Sequence, residues 1–251
     1  MSERRPGYLP KIVAHRGASE RAPENTLAAI AKAAELGAKA VEFDVTVSAD
    51  DVAVLMHDDT VNRCTDGTGP VILKTLAELQ ELDAGGWFGP AFAGERIPTL
   101  EQALKLALQC GLTVNLELKP TLGWEGPTVQ AVVEVLQNFA HADLALVVSS
   151  FNGLALERFG EQMPGVDLGW LTEAVPEDWR EHMMRFGCAS LHCHEPFVTP
   201  ELVRDVHGGG YRLHVYTVND PAKAEELFSW GVDAVFTDRP DALKEACSDD
   251  A

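Results

Sequence analysis

IVAHRGASERAPENTLAAIAKAAELGAKAVEFDVTVSADDVAVLMHD, residues 12–58, carries two histidines and two spaced carboxylates, and its reading decides the fold. The short β-branched run Ile12, Val13, Ala14 reads as a buried strand that delivers His15 and Arg16 at its C-terminal end. Gly17 lets the chain turn. Behind polar Glu24, Asn25 and Thr26, apolar Leu27, Ile30, Ala31 and Ala34 recur at helical spacing until Gly37, which predicts one amphipathic helix. Residues 40–47 then form a second strand, on which Glu42 and Asp44, two apart, share one face. Only Ser48, Ala49, Asp50 and Asp51 separate it from the next apolar run, residues 52–56, too few for a helical crossover, so the two runs should pair as an antiparallel hairpin. Pairing Val47 with Val52 sets Asp44 opposite Leu55 and Glu42 opposite His57, which brings His57 beside the acidic pair; a slip of one residue would send it to the other face.

Beyond the hairpin, residues 62–70 (NRCTDGTGP) form a turn-rich loop in which Asp66-Gly67-Thr68-Gly69 reads as a plain turn, the rest of a calcium-loop pattern being missing. A short helix over residues 76–82 and a glycine-rich, aromatic connection over 84–98 follow. From Thr99 a helix-and-strand cadence takes over. Helices from Thr99 to near Gly111, over 128–139, after Asn152, and over 179–185, 201–206 and 221–230 alternate with strands over 112–118, 144–148, 166–171, 188–192, 211–218 and 232–237. Pro221 and Gly231 bracket the last long helix at the positions those residues favour. Short strands alternating with helices mean parallel βαβ units. Nine strand candidates are one more than a (β/α)8 TIM barrel needs, and the hairpin strand 52–56 is the surplus. The rival, an open doubly wound sheet, usually carries a glycine-rich phosphate turn after its first strand, and His15-Arg16-Gly17 is not one.

Composition narrows the functional classes. The 251 residues suffice for a single domain, residues 1–251, and 46% hydrophobic content is ordinary for a globular protein. A formal net charge of −19 repels nucleic acid and anionic membranes, so neither is an expected partner, and any anion site must be made locally positive. Five cysteines, Cys64, Cys110, Cys188, Cys193 and Cys247, are odd in number and unpaired in spacing, which fits a reducing compartment. The start, MSERRPGYLPK, has no apolar segment behind its basic residues, so the expected location is cytoplasmic.

In a barrel the C-terminal strand ends converge on one mouth. Here they carry His15 and Arg16, Glu42 and Asp44, Glu117 and Lys119, Ser150 and Phe151, His192 and His194, and Tyr216 with Asn219. Three carboxylates meeting in one mouth would repel one another when bare, and an all-oxygen cluster suits one hard divalent cation, Mg2+ or Ca2+, better than zinc. Adding Arg16 and Lys119 to the carboxylates and the cation leaves one net positive charge, which a phosphodiester anion neutralises. Its cleavage expels an alkoxide that needs a proton while the attacking hydroxyl must lose one, tasks that His15 and His57 can divide.

The segments AHRG, APENTLAAI, VEFDV, LMHDD, NLELKP, SSF, VYTVN and VDAVFTD, in this order from residue 14 to residue 238, resemble the glycerophosphodiester phosphodiesterases, especially the bacterial cytoplasmic type. The resemblance implies an imperfect (β/α)8 barrel of the PLC-like phosphodiesterase type with an extra hairpin strand. It also implies metal-dependent hydrolysis of small glycerophosphodiesters to sn-glycerol 3-phosphate and an alcohol, within lipid and glycerol metabolism. It makes His15 and His57 the acid and base, Glu42, Asp44 and Glu117 the metal ligands, and Arg16 and Lys119 the phosphate contacts. The sequence has Tyr216 where the family often has Trp, and Cys64 where it has a second Thr.

Simpler readings apply elsewhere. His141, His182, His207 and His214 read as structural. His192 reads as substrate lining or packing, and Phe151 and Tyr216 as rim aromatics against the glycerol carbons. A metal-assisted lyase or isomerase acting on a sugar phosphate, on the same fold, and a noncatalytic phosphodiester-binding scaffold are the rival functions; no stable membrane association is expected, and the expected assembly is monomer or homodimer.

Overall fold

A computed structural model describes residues 7–244; Cys247 and residues 1–6 of the start lie outside the described residues. Eight parallel strands close into a barrel: β1 (Ile12–Ala14), β2 (Ala40–Val47), β4 (Thr113–Leu118), β5 (Leu146–Ser150), β6 (Asp167–Thr172), β7 (Ser190–His194), β8 (Arg212–Tyr216) and β9 (Ala234–Thr237), with β9 and β2 both pairing β1. The ninth strand, β3 (Ala53–Leu55), is antiparallel and lies outside, on β2. Because β1 pairs with β2 only through Ala40 and Val41, the far half of that edge of β2 is left to β3.

Helices α1 (Leu27–Glu35), α3 (Leu100–Gln109), α4 (Glu125–Gln137), α5 (Gly153–Gln162), α6 (Trp179–Phe186), α7 (Pro200–Gly208), α8 (Pro221–Trp230) and α9 (Pro240–Leu243) alternate with the strands, and the short α2 (Leu76–Glu81) lies between β3 and α3. All eight residues of β2 are buried, which its alternation explains: Val41, Phe43, Val45 and Val47 join the large core beneath the helices, while Ala40, Glu42 and Asp44 occupy the other face, toward the barrel interior. Starts are capped as the sequence suggests. Thr26 accepts from Ala29 N–H, and Thr75 and Thr99 form capping boxes with Glu78 and Gln102.

Besides end shifts of one to three residues in α4, β8 and β9, two placements that bear on the site differ from the sequence reading. The hairpin ladder pairs Val47 with Ala53, Thr46 with Val54 and Val45 with Leu55, one residue from the expected Val47–Val52 register. The cause is Ser48, whose N–H donates to the Val52 carbonyl at 3.0 Å and whose hydroxyl accepts the Val52 N–H at 3.0 Å, drawing Val52 into the turn. Asp44 therefore stands beside Met56, whose N–H it accepts at 3.1 Å. His57 is not opposite Glu42; it lies past the end of the ladder, in the segment that leaves β3. The second difference is a two-residue shift of β5 and β7 toward the C-terminus: α6 ends at Gly187 in the left-handed region (φ 66°), so Cys188 and Ala189 belong to the connection and β7 ends at His194 rather than His192.

Cys64, Cys110, Cys188 and Cys193 are free thiols. Asp66 is tied to Asp83 by two hydrogen bonds, its carboxylate accepting the Asp83 N–H at 2.8 Å and its own N–H donating to the Asp83 carbonyl at 3.2 Å. Among the described residues no helix is long and apolar enough to cross a membrane.

Candidate active site

β2 and β4 run parallel with Asp44 aligned to Glu117 and Glu42 to Asn115, so the three carboxylates meet at the C-terminal mouth. Ligand oxygens of Glu42, Asp44 and Glu117 all lie within 4.8 Å of one another, and all three residues are buried. Arg16, held at φ 55°, turns its backbone N–H to Glu42 Oε2 at 2.7 Å. Its guanidinium donates to Glu24 Oε1 at 2.8 Å and brings Nε to 3.3 Å from Asp44 Oδ2. Asn25, also left-handed at φ 56°, clasps Asp44 twice, donating to Oδ2 at 2.8 Å and accepting the Asp44 N–H at 3.0 Å. Two non-glycine residues in this region, both on one carboxylate pair, mark strain concentrated at a working site. Gly17, at φ 81°, permits the approach: a Cβ there would lie 2.5 Å from the Ala29 carbonyl carbon.

Burial raises the Glu42 carboxyl well above the usual range, and the charges of Asp44 and Glu117 raise it further. Burial followed by the Asp44 charge pushes Glu117 up to about 8. Burial also disfavours ionised Asp44, yet Arg16, His57, Lys119 and the Asn25 hydrogen bond outweigh it and hold Asp44 below its ordinary value. Glu42 Oε1 and Glu117 Oε1 are buried without hydrogen-bond partners. Lys119 Nζ stands 3.5 Å from Glu117 Oε1 and 3.9 Å from Asp44 Oδ1. Three buried carboxylates, two of them with a bare oxygen, fit a hard divalent cation, whose charge would let all three ionise.

Each histidine has its own carboxylate. His15 Nδ1 is 2.7 Å from Asp238 Oδ1, and Asp238 is itself held by Ser19 (2.8 Å) and Asn219 (2.7 Å). His57 Nδ1 is 2.7 Å from Asp58 Oδ1, and Asp58 accepts from Arg63 at 2.9 Å. A carboxylate acceptor puts the proton on Nδ1, so Nε2 of each neutral ring is left as the nitrogen that can take or give a proton. Burial lowers the His57 pKa, and the charges of Arg16 and Lys119 add to that against the pull of Asp44 and Asp58.

Both histidines, Arg16, Glu42, Glu117, Lys119, Phe151 and Tyr216 line one cavity of about 290 Å³. Asp44 lies behind this wall at 1% exposure. His192 does not line it. The two-residue shift of β7 buries its ring in the barrel interior, where Nε2 is 2.9 Å from Ser190 Oγ and 3.0 Å from His214 Nδ1, in space that a side chain on Gly169 would fill. His194 takes the place at the mouth, stacked on Tyr216 at 5.6 Å between ring centres. The sequence reading missed the partners Asn25, Glu24, Asp58 and Asp238. All four fall inside APENTLAAI, LMHDD or VDAVFTD, where their polar types at element ends were the available signal.

A sequence model of the glycerophosphoryl diester phosphodiesterase family matches residues 15–242. The chain is 38% identical over 238 residues to a glycerophosphodiester phosphodiesterase of Caldanaerobacter subterraneus subsp. tengcongensis, covering 92% of this chain and 95% of the relative. It is similar to the solved structure of an Oleispira antarctica phosphodiesterase in complex with the product sn-glycerol-3-phosphate, with 42% identity, a TM-score of 0.94 and coverage of 96% and 97% of the two chains. A glycerophosphodiester phosphodiesterase from Agrobacterium tumefaciens has 29% identity and a TM-score of 0.82, with 95% of this chain and 100% of that one covered. Barrel, acid cluster, paired histidines and near full-length similarity agree: the chain is an enzyme of the glycerophosphoryl diester phosphodiesterase family.

Proposed function

We propose that the chain hydrolyses small glycerophosphodiesters to sn-glycerol 3-phosphate and an alcohol, as a single cytoplasmic domain over residues 1–251, acting as monomer or homodimer. The observation that carries this reading is the pair of carboxylate-held histidines lining one cavity with Glu42 and Glu117, with Asp44 directly behind them. Glu42, Asp44 and Glu117 would hold the cation, Mg2+ or Ca2+, which when bound supplies Lewis-acid charge to a phosphoryl oxygen. Arg16 and Lys119 hold the non-bridging oxygens and the charge that grows on them in the transition state. One of His15 and His57 takes the proton of the attacking hydroxyl at Nε2, and the other gives its proton to the departing alkoxide. Asp238 and Asp58 fix the tautomer each ring needs and stabilise it when charged. Phe151 and Tyr216, edge to face at 6.0 Å, form an apolar wall against the glycerol carbons. His192 serves packing beneath that wall.

The test is hydrolysis of a glycerol 3-phosphate diester by purified protein, with release of the alcohol measured before and after EDTA treatment and metal restoration. His15→Ala and His57→Ala should each lower kcat by about 10²- to 10⁴-fold while the fold stays intact by circular dichroism. Turnover indifferent to EDTA and to both substitutions would overturn the assignment.

A further inference from the structure

The loop over residues 62–70 lies beside the mouth without lining its cavity. Its own hydrogen bonds brace it: Asn62 Oδ1 accepts the Gly69 N–H at 2.7 Å, and the Thr65 hydroxyl donates to the Val61 carbonyl at 2.7 Å. Arg63 reaches out from this frame. Its Nε donates to Asp58 Oδ2 and its Nη2 to Asp58 Oδ1, both at 2.9 Å. The same guanidinium donates through Nη1 to Glu24 Oε2 at 2.7 Å and through Nη2 to Glu24 Oε1 at 2.9 Å. Two carboxylates thus share one planar fork, a geometry that arginine offers and a lysine ammonium does not.

Each carboxylate leads on to a working group. Glu24 Oε1 also accepts from Arg16 Nη1 at 2.8 Å, and Asp58 Oδ1 also meets His57 Nδ1 at 2.7 Å. The contacts Arg16, Glu24, Arg63, Asp58, His57 therefore run unbroken from a cation that holds the phosphate to an imidazole that moves a proton. The two halves belong to different segments: Arg16 and Glu24 to the connection between β1 and α1, His57 and Asp58 to the segment leaving β3. Among the described residues, the hydrogen bonds that join those two segments directly both come from Arg63. Burial disfavours ionised Glu24, yet Arg63 and Arg16 outweigh it, and hydrogen bonds from Arg63 hold Asp58 well below its ordinary range. Both carboxylates thus stay charged and anchored to the fork.

We propose that Arg63 is a positioning residue for the reaction: its fork between Glu24 and Asp58 fixes how Arg16 and His57 stand to one another, so that an ester held by Arg16 lies within reach of His57 Nε2. The proposal rests on the hydrolase reading above. Arg63 acts through its two carboxylates and does not itself border the cavity. Its loss should therefore be felt in two kinetic constants by two routes, kcat through Asp58 and KM through Glu24.

The full chain, loaded with Mg2+, is assayed on the glycerol ester of sn-glycerol 3-phosphate, with folding checked by circular dichroism. Arg63→Gln should lower kcat by about 10- to 100-fold, the loss that a displacement near 1 Å causes, and should raise KM as Arg16 loosens. With Asp58→Asn already present, Arg63→Gln should cost less than about threefold more in kcat, and with Glu24→Gln present it should leave KM unchanged. In a chain carrying Asp238→Asn, whose carboxylate serves His15 instead, the Arg63 loss in kcat should appear in full. Arg63→Lys keeps the charge without the fork and should stay closer to Arg63→Gln than to the unmodified chain; it carries the same comparisons if Arg63→Gln does not fold. Variants as fast as the unmodified chain, losses that add in full to those of Asp58→Asn and Glu24→Gln, or complete recovery in Arg63→Lys would overturn the proposal and leave the hydrolase reading intact. No turnover by the unmodified chain overturns both.

Discussion

Replacing Glu117 by glutamine should stabilise the protein when no cation is bound and remove the stabilisation a cation brings. Burial and the Asp44 charge raise the Glu117 carboxyl from 4.5 to about 8. A carboxyl whose pKa rises on folding binds more protons folded than unfolded, so between pH 4.5 and 8 the folded state loses stability as pH climbs. At pH 7 this costs roughly 3 kcal/mol for Glu117, all of it absent in a residue that cannot ionise. The buried amide, short of partners, gives back about 1 kcal/mol, leaving a net gain near 2 kcal/mol and a rise in Tm of roughly 4–8 °C. Conversely, a cation at a hundred times its Kd stabilises the unmodified chain by about 2.7 kcal/mol, and Glu117→Gln takes away one of its three carboxylates. The assay is calorimetric melting of both proteins in EDTA, in Mg2+ and in Ca2+ at pH 7, repeated in EDTA at pH 5.5, where the net advantage of the variant should fall to about 0.5 kcal/mol. A variant that melts lower than the unmodified chain in EDTA, or one whose Tm rises with cation as much as the unmodified chain's, would refute the argument that repulsion among bare carboxylates is what the cation relieves.

Two further outcomes follow from the fold. Burial holds the His192 pKa down to about 3, so the unfolded chain takes up the proton first and stability falls as pH drops below 6.5; at pH 4.5 the loss is roughly 3 kcal/mol, and denaturant titrations should show a shallower acid limb for His192→Gln, whereas parallel pH profiles would contradict this. Gly17→Ala should cost about 3 kcal/mol in urea unfolding, because φ is 81° and the new Cβ would meet the Ala29 backbone at 2.5 Å; a loss below about 0.5 kcal/mol would mean the loop relaxes freely.

Periodicity alone determined that this chain alternates strand and helix, that one strand is surplus, and that Glu42 with Asp44 share a face, because a period of two and a period of 3.6 are written in the spacing of apolar residues. Pro221 and Gly231 likewise marked α8 to the residue. Only the tertiary structure decided the hairpin register, since a single serine hydroxyl competing for the Val52 N–H moved it by one, and no apolar pattern records that competition. It also decided that His194 and not His192 reaches the mouth, because where β7 starts depends on how α6 ends at Gly187. Above all it supplied the partners: Asp238 lies 223 residues from His15 in the chain, and their hydrogen bond exists because the last barrel strand closes against the first, a contact that sequence spacing cannot express.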